Sequence, residues 1–352
     1  MKPVPVQNIY YLLSYAWDKL DEAELTKAGI DDFEEVANLL GKVLANRCSY
    51  LFKRGLYRNY RQKKEEIPGI RGKLLMNESL SSLSFQHKKA WCDYDELSRN
   101  VLPNRILKST ILRLLRMNEI ENGLHQELKE IYYRFSTVEE IKLQGHHFTQ
   151  VQINRNNAFY GFLIQICKLI FDSSALDESD GSYQFRDFTR DHQKLARLFE
   201  AFVFNFYRRE QNWFKVNSPS FPWPFKSTVE EHNELLPSMS TDVVLEDEER
   251  IIIIDTKYYS KTLAKREDIG SIFLRSPHMY QIFAYMQHIP NPDNKKIEGM
   301  LLYPDVGNSI HANYTWEDQK LTYKTIDLDK EWYVIERKLL GLMELYDVNE
   351  NM

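Results

Sequence analysis

Four consecutive isoleucines, Ile251 to Ile254, inside the stretch ERIIIIDTKYYSK, constrain this chain more than any other feature. Keeping four such side chains in a row away from water requires burial on both faces of a sheet, so the run predicts a central strand. It ends in Asp255, Thr256 and Lys257. Successive strand side chains point to opposite faces, so Asp255 and Lys257 emerge together while Thr256 faces away. An acid and an ammonium at the mouth of a buried strand need partners or a chemical task.

The segments around the run supply candidates for that task. A helix is predicted over roughly Asp191 to Asn212, its apolar face made by Leu195, Leu198, Phe199, Phe202, Val203 and Phe206, with Glu200 at the edge of that face. After the aromatic and proline-rich SPSFPWPF comes a strand near MSTDVVLE, then a tight acidic turn into the isoleucines. With the turn at Asp247-Glu248, Asp242 lies opposite Ile253 and diagonal to Asp255 on the same face. Diagonal neighbours have β-carbons roughly 7 Å apart, and two carboxylates reaching across that gap can share a cation. Oxygen ligands without His or Cys point to Mg2+ or Mn2+ rather than zinc. A further helix opens at SPHMYQIFAYMQ, with Ser276 as N-cap and Pro277 as first residue, and carries Gln281 and Tyr285 one turn apart. That pair would orient a phosphate or a water. GMLLYP reads as another buried strand. Taken singly, Asp242 and Glu200 also read as solvated acids, Gln281 as a satisfied core amide, and Asp255 with Lys257 as a strand-end ion pair. Together, on one side of one sheet, they favour chemistry.

The first half of the chain is patterned differently. Ile9, Leu12, Leu13, Ala16, Trp17 and Leu20 follow helical spacing behind Asn8, a candidate N-cap, and a second helix runs from about Asp32 through Leu51. After Gly55 the period shortens, and LYRNYR, GIRGKLLM and SFQHKKAWCDY read as strands with IPGIRG as turn chemistry. Helices near Asn104 to Met117 and His125 to Phe135 follow, then an apolar one in FYGFLIQICKLIF. At 352 residues the chain is long enough for about two domains, and the change of pattern places their boundary near 155. The fold class expected is mixed α/β: an N-terminal α+β domain over 1–155 with a small β-rich part, then a mixed sheet flanked by helices over 156–352.

Between Lys53 and Lys73 eight lysines and arginines stand against Glu65 and Glu66, although the whole chain carries a net charge of −5. Such a run is a solvated face, or a stripe facing phosphate or an acidic partner. Asp21 to Glu35 is acidic. No apolar run reaches the length of a membrane span and no secretory leader is evident, so a cytoplasmic protein is expected. Cys48, Cys92 and Cys167 lie far apart and are expected as core fillers.

Asp242 followed by Asp255-Thr256-Lys257 behind a strand of isoleucines resembles the PD-(D/E)XK nuclease signature, with Thr241 where the superfamily's name has proline. VPVQNIYYLLSYAW, EIPGIRGKL, LPNRILKSTI, LFEAFVFNFYRRE, DTKYYSK and MYQIFAYM run in the order seen in the McrC family, the nuclease subunits of McrBC restriction systems. The resemblance spans Val4 to about Tyr303 and implies a restriction-endonuclease-like second domain. It implies Mg2+-dependent cleavage of double-stranded DNA containing modified cytosine, with Mn2+ as an alternative metal. It also implies an McrB-like AAA+ ring as partner, which would bind and hydrolyse the GTP. Asp242, Asp255 and Lys257 match the nuclease motif, Glu200 falls where the superfamily often has a helix acid, and Gln281 with Tyr285 where it often has a Gln-x-x-x-Tyr pattern. Asp242, Asp255 and Glu200 are thus the expected metal ligands, with Lys257 and Gln281 beside them. No Gly-x-x-x-x-Gly-Lys-Ser/Thr loop is present, in keeping with a motor on another subunit. The N-terminal domain with its basic strands would engage and stimulate the ring, and two such subunits would pair to cut both strands. The rival readings are a catalytically inactive adaptor that regulates a AAA+ ring, and a stand-alone structure-specific nuclease.

Overall fold

The isoleucine run is a strand, Arg250–Thr256, and Ile251 to Ile254 are at most 4% exposed. In this computed structural model the described residues are 4–17, 35–155, 157–258, 264–265, 272–305 and 309–343. The acidic segment expected from Asp21 lies outside them except for Glu35. The chain divides into two compact units. One is Glu35–Arg186; the other joins the N-terminal helix α1 (Val6–Ala16) to the residues from Asp187 onward.

Both results correct the expected boundary near 155. The apolar helix α7 (Tyr160–Asp172) belongs to the first unit, because Tyr160 Oη donates to Asn104 Oδ1 at 2.6 Å and accepts from Tyr57 N at 3.0 Å. In the second unit α1 is anchored far along the sequence. Asn8, expected as an N-cap, is instead a buried residue inside the helix whose Nδ2 donates to the carbonyls of Leu328 and Lys330, both at 2.8 Å. Tyr15 Oη donates to Glu210 Oε1 at 2.9 Å, and Tyr11 stacks on Trp332 with centroids 4.5 Å apart. A side chain that satisfies carbonyls more than three hundred residues away leaves no local signal.

The first unit contains α2 (Val36–Arg54), β1 (Asn59–Pro68), β2 (Lys73–Leu74), α3 (Met76–Ser81), β3 (Lys89–Ser98), α4 (Leu102–Leu115), α5 (Asn122–Arg134), α6 (Gly145–Gln150) and α7, then the hairpin β4 (Ser174–Leu176) and β5 (Tyr183–Phe185). Its core is helical: Leu39, Leu44, Ile106, Leu107, Ile111, Leu114, Leu128 and Leu163 are wholly buried. In the antiparallel sheet β1-β3-β2 the stretch IPGIRG is not a hairpin turn: Ile67 and Pro68 end β1, and residues 69–72 carry the chain past β3 to β2 on its far side. Gly72 there has φ +67°, and a Cβ would sit 2.5 Å from the Asp93 carbonyl oxygen, so only glycine fits. The basic segment is a largely exposed face, part of which is answered by acids. Its register sets Arg61 against Glu96 and Lys64 against Asp93, and Lys63 Nζ lies 2.5 Å from Glu96 Oε2. Acids from β3, distant in sequence, neutralise part of the charge of β1.

The second unit runs from α8 (His192–Glu210) through β6 (Lys215–Asn217), β7 (Ser220–Phe221), β8 (Met239–Ser240), β9 (Val243–Glu246), β10 (Arg250–Thr256), a short ribbon of β11 (Ala264–Lys265) and β12 (Ile272–Phe273), α9 (Ser276–His288), β13 (Lys296–Pro304), β14 (His311–Trp316), β15 (Gln319–Ile326) and α10 (Trp332–Gly341). The main sheet has the order β14-β15-β13-β10-β9-β6. β10, β13 and β15 are parallel and the other pairings antiparallel, giving the mixed sheet the sequence predicts. Ile251 and Ile253 join one cluster with Val244, Leu301, Tyr303 and, from α9, Ile282, Tyr285 and Met286. The even-numbered face is left to α8, which packs on β9 and β10. MSTDVVLE is not one strand: Met239–Ser240 pairs with Ser220–Phe221, and only Val243–Glu246 enters the main sheet. Helix α9 begins at Ser276, one residue earlier than expected, because the Arg275 carbonyl already accepts from His278 N and Met279 N. All three cysteines are buried, and among the described residues no helix is long and apolar enough to cross a membrane.

Candidate active site at the mouth of the isoleucine strand

Strands β9 and β10 meet with Ile254 opposite Val243 and Ile251 opposite Glu246. The turn is therefore Glu248-Glu249 rather than Asp247-Glu248. Asp247 fixes it: its backbone N–H donates to the Arg250 carbonyl at 3.1 Å, and its Oδ1 accepts from Glu249 N and Arg250 N at 2.8 and 2.7 Å. The shift changes the pairing by two residues, and because strand side chains alternate with period two it preserves which face each occupies. Continued one step beyond Val243 and Ile254, this register would bring Asp242 opposite Asp255 rather than diagonal to it.

Asp242 sits in a bend just before β9. Its Oδ2 accepts from both the backbone N–H and the hydroxyl of Thr256, each at 2.7 Å. Thr256 thus contributes to the site, although alternation assigned it to the other face. The carboxylate leans across the strand ends to reach it, and this clamp locks the ends of β9 and β10 together. Asp255 is fully buried. Lys257 Nζ donates to its Oδ1 at 3.1 Å and forms an ion pair with Oδ2 at 2.9 Å, so the ammonium straddles the carboxylate. Burial pushes the Asp255 pKa up to about 7, against Lys257, which lowers it, while Asp242 and Glu200 add to the rise.

Lys257 is positioned from above by α9. Its Nζ donates to Gln281 Oε1 at 2.9 Å, and Gln281 Nε2 donates to Tyr285 Oη at 2.8 Å. Gln281 and Tyr285 are brought together as the sequence suggests, with Gln281 linking the tyrosine hydroxyl to the lysine. Glu200, from α8 on the other side of the sheet, is an exposed residue close enough to feel the charges of Asp242 and Lys257. Crowding around the carboxyl, then Asp242, push its pKa up, and Lys257 and Arg197 oppose the shift. Sequence reasoning missed His278. Buried at the start of α9, it lies with Nδ1 2.6 Å from the Tyr303 hydroxyl, and burial, with Lys257 and Arg275, pushes its pKa down to about 4. Its neutral imidazole can stand beside two cations. Only its neighbourhood to Gln281 in sequence hinted at this.

The donor chemistry suits a hard dication, since the convergent ligands are carboxylate oxygens only, with no His or Cys among them. The arrangement is open. Among the described residues no three His, Cys, Asp or Glu side chains converge closely enough to hold an ion, and the Lys257 ammonium is what neutralises Asp255.

Residues 7–304 match the family model described as "McrBC 5-methylcytosine restriction system component". The type IV methyl-directed restriction enzyme EcoKMcrBC of Escherichia coli (strain K12) is 29% identical over 343 residues, covering 97% of this chain and 98% of that protein. Among solved structures, a chain of the half-complex from the tetradecameric assembly of Thermococcus gammatolerans McrB AAA+ hexamers with bound McrC superposes with a TM-score of 0.61. That alignment covers 97% of this chain and 76% of the other at 18% identity, so it speaks to shared fold. The family match takes in both units and every site residue from Glu200 to Tyr303, and on that ground the chain belongs to the McrBC 5-methylcytosine restriction system component family.

Proposed function

We propose that this chain is the DNA-cleaving subunit of a GTP-dependent restriction complex directed at DNA containing modified cytosine. The observation that carries the reading is the joined set at the strand ends: Asp242 fixed on Thr256, and Lys257 held between Asp255 and Gln281. Asp242, Asp255 and Glu200 would hold Mg2+, with Mn2+ as a substitute, and the bound ion would supply Lewis-acid activation of water and of the scissile phosphate. The chain's own groups do the rest. Thr256 keeps the Asp242 carboxylate in place. Gln281, linked to Tyr285, holds the Lys257 ammonium near the scissile phosphate, where it offsets the negative charge that builds on a phosphoryl oxygen. The buried position of Asp255 keeps water from screening these interactions.

The Thermococcus chain is described as bound to McrB AAA+ hexamers. By that analogy we assign this chain a McrB-like AAA+ ring as partner, which would bind and hydrolyse GTP, since no P-loop occurs here. The unit Glu35–Arg186 would engage the ring and stimulate its hydrolysis, and two such subunits would act together on the two DNA strands. The test is co-expression with the AAA+ partner and a cleavage assay on methylated and unmethylated duplexes with Mg2+ and GTP. Cutting of the methylated duplex alone, lost with EDTA, is expected. The open arrangement of the carboxylates favours one other reading, a catalytically inactive adaptor. Stimulated GTP hydrolysis with no cutting under any condition would establish that reading in place of ours.

A further inference from the structure

Within the unit Glu35–Arg186 a cleft of about 720 Å3 opens between the C-terminal end of α4, the end of α7, the segment 140–143 and the β4–β5 hairpin. Its floor carries Arg113. The guanidinium is sandwiched between the rings of Phe171 and Tyr183, 4.7 and 4.2 Å from their centroids, and Nη1 donates to Ser174 Oγ at 2.7 Å. The sandwich is itself fastened, since Tyr183 N donates to the Arg116 carbonyl at 3.0 Å. Arg116 and Lys142 line the same cleft. Among the described residues no carboxylate forms an ion pair with any of the three. The acid in the lining, Glu140, accepts from the Tyr132 hydroxyl. Of the hairpin's three acids two are spent on its loop, Asp177 Oδ1 accepting from Ser179 N and Oγ and Asp180 Oδ1 from Ser182 N, and the third, Glu178, is exposed and does not line the cleft.

A guanidinium stripped of part of its hydration and fixed in a rigid frame is prepared for an anion, because the entropy of ordering it is already spent. Burial pushes the Arg113 pKa down, as it does for a cation short of counter-charge. Two further cations on the same cleft call for more than the single charge of a carboxylate. The volume exceeds what a bare inorganic anion fills, and the aliphatic wall of Leu112, Ile141 and Leu176 suits an organic portion. We propose that this cleft binds the phosphate of a larger organic phosphate, through Arg113, Arg116 and Lys142. The inference is independent of the site at Asp255.

Amide hydrogen exchange of the full chain tests it, read at the β4–β5 hairpin without Mg2+ so that cleavage plays no part. ATP and a short DNA duplex serve as separate probes. Slowed exchange at residues 174–185 with ATP alone would assign the phosphate to a free nucleotide; slowed exchange with the duplex, with or without ATP, would assign it to a nucleic-acid backbone. In either case Arg116→Ser with Lys142→Ser, both exposed, should weaken the protecting ligand about tenfold or more while leaving Tm unchanged. Arg113→Lys should weaken it as well, because the fork is lost though the charge remains. No protection with either probe, or protection untouched by the double substitution, would overturn the proposal.

Discussion

Every residue of β10 after Arg250 is buried, whereas no residue of β1 is. The two strands show what a sheet does with charge. In β1 and β3 charged side chains pair across the register in water, Lys63 with Glu96 and Lys89 with Glu66, where each pair contributes only about 0–1 kcal/mol. In β10 the one acid is deprived of water and must be served by named partners: Lys257 just past the end of the strand, held in turn by Gln281 from α9. Charge on the exposed sheet can be exchanged with little consequence for the fold. Charge on the buried one is tied to a single geometry, and that geometry is suited to chemistry.

The largest expected effect comes from removing the buried charges. Asp255→Ala or Lys257→Ala should lower DNA cleavage by the assembled complex by about 100-fold or more, read as rate under Mg2+ and GTP with partner binding retained. Retained cutting by either variant would erase the contrast. Next is the packing that seats α9 on the sheet. Gly299 lies on β13 where an added Cβ would stand 2.5 Å from Met286 Sδ and 3.1 Å from Ile282 Cγ1, both on α9. Gly299→Ala should destabilise the chain by roughly 1–3 kcal/mol in chemical denaturation and reduce cleavage through displacement of Gln281. A denaturation midpoint equal to that of the parent would show that α9 adapts freely.

A smaller effect follows from His278. Its folded pKa, about 4, lies below the ordinary 6.5, so the folded chain binds fewer protons than the unfolded one between those values. The stability this group contributes is complete above pH 6.5 and is lost as pH falls toward 4. His278→Gln should therefore flatten the fall of Tm over that interval; a parallel fall in both proteins would place the acid sensitivity elsewhere. The smallest effect belongs to the exposed sheet. Arg58→Ser, Arg61→Ser, Lys63→Ser and Lys64→Ser together should change stability by no more than about 0.5 kcal/mol per position, while weakening stimulation of the partner's GTP hydrolysis. Unchanged stimulation would move the ring-facing surface off β1.

The sequence made the core of the second unit readable because burial on both faces leaves an unbroken apolar run, and because the acid and lysine at its end share a strand face. What it did not reveal depends on distance. The register of β9 on β10 was misplaced by two residues because an Asp247 side chain, rather than the apolar pattern, sets the turn. Asn8 looked like a cap, since nothing near it in sequence announces the carbonyls of Leu328 and Lys330. The acids that answer part of the basic run of β1 went unseen, since they lie some thirty residues on, in β3. Thr256 was assigned away from the site by strand alternation, a rule that governs side chains leaving a strand and not a carboxylate reaching across its end.

The central claim is that Asp242 and Asp255 hold one hard dication between them, and a crystal grown with Mn2+ tests it most directly. The account predicts an anomalous peak within coordination distance of a carboxylate oxygen from each of the two residues. Mn2+ bound to neither of them, or to one alone, would contradict it.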